Sequence, residues 1–78
     1  MGNFKLVGRV EHIGPRDFVA IAAAVPDQPG AMAAIADIRL EILPDREGAM
    51  LTRDILLKDL GEALRLRGDR VVDVETDD

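Results

Sequence analysis

The period of the apolar residues changes twice along the chain, and those changes order its elements. Up to Ile42 two stretches of alternating apolar and polar side chains flank a continuous apolar run at Phe18–Val25, between Asp45 and Arg67 apolar residues recur every three to four positions, and from Arg70 they alternate again. Alternation marks a strand with one wet face, and recurrence at three to four marks an amphipathic helix. The expected order is strand, strand, strand, helix, strand. That is an α+β fold in which a four-stranded mixed sheet carries one long helix on one face.

Each element has its own evidence. From Phe4 to Ile13, Phe4, Leu6 and Val10 share one parity, whereas Lys5, Arg9 and Glu11 share the other. Gly14-Pro15-Arg16-Asp17 reads as a turn, and Asp17 to Val25 resumes as a second strand, so the two form a hairpin. Both parities of this strand are apolar, with Val19, Ile21, Ala23 and Val25 on one and Phe18, Ala20, Ala22 and Ala24 on the other, which suits a central strand. Pro26-Asp27-Gln28-Pro29-Gly30 breaks the chain. The cleanest alternation follows: Ala36, Ile38, Leu40 and Ile42 are expected to be buried, with Asp37, Arg39 and Glu41 wet.

Pro44 stops the third strand and Asp45 is placed to cap a helix. Asp45 to Thr52 reads as the helix start or, through Gly48, as a hairpin. A single helix from about Asp45 to Arg67 is favoured because Asp45 and Glu47 suit a first turn. Asp54, Lys58, Glu62 and Arg65 make a solvated stripe opposite Leu56, Leu57, Leu60, Ala63 and Leu64. This helix places Arg53 within its apolar face, where the guanidinium must snorkel or pair with a carboxylate. Gly68 can take the left-handed conformation that ends a helix. Arg70 to Thr76 supplies the fourth strand, parallel to the third and beside either the first or the third. Residues 1–78 read as one domain, with the acidic residues 75–78 expected to fray.

Missing residue types narrow the function. The chain has no Cys, Ser, Trp or Tyr, only Thr52 and Thr76 as aliphatic hydroxyls, and one histidine, His12. Serine and cysteine nucleophiles are therefore excluded, as are disulfides and zinc sites of the usual four-ligand kind. His12, Arg16 and Asp17 flank one turn but lack a nucleophile or second histidine to work with. A net charge of -5 and aromatics limited to Phe4 and Phe18 argue against nucleic acid, which needs a basic field or exposed stacking platforms. With no apolar run near 18 residues and no leader pattern, neither a membrane span nor secretion is expected, and the cytoplasm is the default location. No catalytic, cofactor or metal site is expected.

The sheet face away from the helix is the expected interaction surface. If Val19, Ile21 and Val25 point at the helix, then Phe18, Ala20, Ala22 and Ala24 form a shallow floor between Lys5, Arg9 and Glu11 on one side and Asp37, Arg39 and Glu41 on the other. Arg and Glu stems lying across this floor would keep the free protein monomeric. The same floor would admit a protein or peptide segment oriented by Arg9 and Arg39. The leading expectation is a non-enzymatic accessory or protein-interaction domain.

The stretch Val19 to Ala36, centred on Val25-Pro26-Asp27-Gln28-Pro29-Gly30-Ala31-Met32, resembles the opening of an ACT domain, a regulatory module that binds amino acids. In that family a strand ends in Asp-x-Pro-Gly and a helix follows. The resemblance implies an alternative function, small-ligand regulation, with Asp27 and Gly30 as ligand-facing positions. It also implies a first helix through Ala36 to Ile42, where the alternation of the residues expects a strand.

Overall fold

The computed structural model describes residues 2–28 and 35–77. The chain runs β1 (Asn3–Gly14), β2 (Asp17–Pro26), β3 (Asp37–Leu43), α1 (Arg46–Leu66) and β4 (Arg70–Thr76), as the periodicity predicts. The four strands form one mixed sheet in the order β3-β2-β1-β4. β1, β2 and β3 are successively antiparallel, and β4 lies parallel to β1, which resolves its neighbour.

Local chemistry fixes the boundaries. Pro15 and Arg16 turn the β1–β2 hairpin. The Asp45 carboxylate accepts a hydrogen bond from the Gly48 N–H, so the ambiguous segment before Thr52 is the first turns of α1. At the other end Gly68 has φ +89°, its N–H donates to Arg65 O, and the Asp69 N–H donates to Leu64 O. These two bonds satisfy carbonyls that the last turn would otherwise leave open.

Packing reverses one sequence expectation. Ala20, Ala22 and Ala24 are fully buried beneath α1, in clusters with Leu6, Leu57, Leu60 and Leu64 and with Val10 and Ala49. Phe18 is half-buried on the same side, against the second cluster. Directly opposed residues of a strand pair share a face. Ala24 opposes Leu6, Ala22 opposes Gly8 and Ala20 opposes Val10, so the small parity of β2 follows the apolar parity of β1 to the helix. The reason is volume. The helix supplies three leucines, and a Cβ on Gly8 would already lie 2.6 Å from Leu57 Cδ1. Only a floor of alanine and glycine lets α1 approach that closely, so Val19, Ile21 and Val25 are turned to the open side.

The same register inverts β3. Asp37, Arg39 and Glu41 oppose Ala24, Ala22 and Ala20 on the helix side, whereas Ile38, Leu40 and Ile42 share the open side with Ala23, Ile21 and Val19. Ile38, Leu40 and Ile42 are 47%, 59% and 60% exposed instead of buried, and Ala36 is exposed too. Glu75 and Thr76 belong to β4, and the Asp77 carboxylate is held by the Val10 N–H and by Arg53.

Candidate interaction surface

The open face of the sheet divides into two halves. Toward β4 it is charged: Lys5 Nζ lies 3.1 Å from Glu75 Oε1, and Arg9 Nη1 lies 3.7 Å from Glu11 Oε1. The hydrogen bond and charge of Glu75 raise the Lys5 pKa above its ordinary value. Toward β3 it is apolar, with Val19 and Ile21 half-buried on β2 beside the exposed Ile38, Leu40 and Ile42. Ala23 sits between them, opposed by Val7 on one side and Ile38 on the other, and is shaded by those larger neighbours.

The residues expected to bind a partner are not brought together. Arg9 is on the open face as expected, but Arg39 is on the helix side of the sheet, so the two arginines cannot orient one segment. Ala20 and Ala22 are core residues with no exposed surface. Phe18 stacks against His12, with centroids 4.6 Å apart and planes at 12°, while the Arg46 guanidinium lies 5.1 Å from its ring centroid. His12 is thus engaged in a stack. Asp27 is exposed at the end of β2, and its N–H donates to Asn3 O. Gly30 lies outside the described residues, and Asp37–Leu43 is strand where the ACT resemblance implies helix.

Arg53 was the expected oddity of the helix, and its environment is well defined. It is 3% exposed, with Nη1 2.9 Å from Asp77 Oδ1 and both Nε and Nη2 3.0 Å from Asp54 Oδ1. The other Asp77 oxygen accepts from the Val10 N–H at 2.9 Å. Burial pushes the Asp77 carboxyl up, but backbone N–H donors and the Arg53 guanidinium outweigh it, and the group sits below its usual range. This node ties α1, β1 and the residue after β4 together. The sequence signal for it was a guanidinium inside an apolar stripe, which requires an acceptor from elsewhere in the chain.

Among the described residues no three His, Cys, Asp or Glu side chains are grouped to hold a metal ion, and no helix is long and apolar enough to cross a membrane. What the surface can do physically is bury apolar side chains and extend a sheet. No protein-family model, curated protein or solved structure matches the chain.

Proposed function

We propose that this chain is a non-enzymatic protein-interaction domain that works through the β2–β3 half of its open sheet face. The observation that carries this reading is the outward row of Ile38, Leu40 and Ile42. Three branched side chains in succession on one strand, beside Val19 and Ile21, make a contiguous apolar surface of a kind that marks binding sites in soluble domains. The charged β1–β4 half beside it gives the surface a polar border.

The test is hydroxyl-radical footprinting in the cells that make the protein, compared with the purified chain in dilute solution. Ile38, Leu40 and Ile42 are expected to be protected in the cell, while Leu51 and Leu66, 67% and 89% exposed on α1, react equally in both settings. Equal reactivity of all five residues in both settings overturns the reading.

A further inference from the structure

Among the described residues β3 is an edge strand, and the direction of the hydrogen-bonding groups on its outer side follows from alternation along the sheet. Gly2 C=O accepts from the Arg70 N–H and the Val10 N–H donates to Asp77, so β1 turns its even-numbered residues toward β4. Its odd-numbered residues turn to β2, where Asn3 C=O accepts from the Asp27 N–H. Odd residues of β1 oppose odd residues of β2, which leaves the even residues of β2 to bond β3. Those even residues oppose Asp37, Arg39, Glu41 and Leu43. The N–H and C=O groups of Ile38, Leu40 and Ile42 therefore point away from β2, at the edge.

The sequence of that edge is self-complementary. Ile38-Arg39-Leu40-Glu41-Ile42 reads alike from both ends except that the two charges have opposite sign. We propose that β3 pairs antiparallel with β3 of a second copy of this chain, about a two-fold axis at Leu40. This identifies the partner for the surface assigned above and rests on that assignment. In this register Leu40 meets Leu40, Ile38 meets Ile42 twice, and Arg39 meets Glu41 twice. The outward N–H and C=O groups of residues 38, 40 and 42 then exchange hydrogen bonds as opposed pairs.

Charge selects this register over its neighbours. Centring the pair on Arg39 sets Arg39 against itself and Asp37 against Glu41, and centring it on Glu41 sets Glu41 against itself, all like-charge contacts. Registers centred between residues put apolar side chains opposite charged ones on the wrong face. Among the described residues neither Arg39 nor Glu41 has an ion-pair partner within the chain, so both are available for a second copy. The two-fold keeps both helices on one side and joins the two Ile-Leu-Ile rows into one apolar band on the other. A single strand pair is a small interface, below about 1,200 Å², so association is expected to be reversible and dependent on concentration.

Sedimentation equilibrium from about 1 µM to about 1 mM spans the range a weak dimer occupies. The mass is expected to rise from 8.5 kDa toward twice that value. R39E alone and E41R alone each create two like-charge contacts and should weaken the dimer at least about fivefold. An equimolar mixture of the two variants should form a heterodimer, and the double variant R39E/E41R should recover self-association, because each restores opposite charges across the axis. Circular dichroism confirms that each variant is folded, and the double variant decides the matter even where one single variant is not. Monomer mass across the range overturns the self-pairing, and so does a dimer indifferent to the charge variants. If β3 is nevertheless protected in cells, the interaction reading stands and the edge belongs to a different protein. Loss of that protection removes both.

Discussion

Breaking the Arg53–Asp77 contact from its two ends should have unequal consequences. Arg53 is 3% exposed, whereas the Asp77 side chain is 33% exposed. Asp77→Ala removes the Nη1 acceptor of a buried guanidinium, which keeps its contact with Asp54, itself 59% exposed, and also strips the Val10 N–H of its acceptor. Removing one partner of a fully buried ion pair costs about 3–5 kcal/mol, and the partial exposure of Asp77 together with the contacts that Arg53 keeps reduces that to about 1–3. The lost amide bond adds about 1 kcal/mol, for a total of about 2–4. Arg53→Met removes the charge but keeps an unbranched stem against the core, and leaves Asp77 with water and the Val10 N–H. That should cost about 0–1.5 kcal/mol. For a domain of this size, with total stability of roughly 4–12 kcal/mol, the difference is readily measured. In urea, with a slope of about 1 kcal/mol per molar, the midpoint should fall by about 2–4 M for Asp77→Ala and by less than about 1.5 M for Arg53→Met. The double variant should be no less stable than Asp77→Ala alone, because the buried guanidinium that lost its Asp77 contact is gone. An Arg53→Met loss equal to or larger than the Asp77→Ala loss would refute the asymmetry and with it the account of the node.

Three further outcomes are expected. Leu60→Ala, at a fully buried position in the main core cluster, should cost about 2–5 kcal/mol by chemical denaturation, and a loss under about 1 would mean that the helix does not pack as described. Gly8→Ala, normally neutral or favourable in a strand, should destabilise by about 1–3 kcal/mol in the same assay, because the new Cβ meets Leu57 Cδ1 at 2.6 Å and Arg53 Cγ at 3.2 Å. The Asp77 carboxyl is depressed in the folded state, so its contribution is present above the ordinary value of 3.8 and is lost as pH falls through the lower folded value. Asp77→Asn should flatten the acid limb of stability against pH below about 4, and an unchanged limb would show that this carboxylate does not titrate with folding.

Element type was legible because it depends on local period and punctuation. Pro44 and Asp45 marked where α1 begins, and Gly68 marked where it ends, each through backbone chemistry confined to a few residues. Facing was not legible in the same way. β2 is apolar on both parities, so its orientation is decided by what lies opposite, and the bulk of Val19 and Ile21 pointed the wrong way. Close approach of a leucine-rich helix needs small partners, and the clue was Gly8 between Leu6 and Val10 on the core parity of β1. The role of Asp77 was hidden for a related reason. Its partner lies 24 residues away on another element, and an acidic terminus read alone looks only solvated.

β3 is the element where period and position disagree, and the disagreement is informative. Alternation alone assigns Ile38, Leu40 and Ile42 to a core, yet the register with Ala20, Ala22 and Ala24 commits the opposite parity to the helix side. A slip of β3 by one residue would bury the isoleucines and leucine but would set them against a floor already filled by α1. On the helix side Asp37 and Arg39 are half-buried and Glu41 is exposed, a border position that charged side chains tolerate. An edge strand that cannot bury its apolar row within its own chain gains most from burying it against another. In the proposed dimer the paired signs of Arg39 and Glu41 would act as a register key, since only one alignment of two copies joins the apolar rows and the opposite charges at once. The strand that alternation describes most cleanly is thus the one whose apolar row a second copy extends in the proposed dimer.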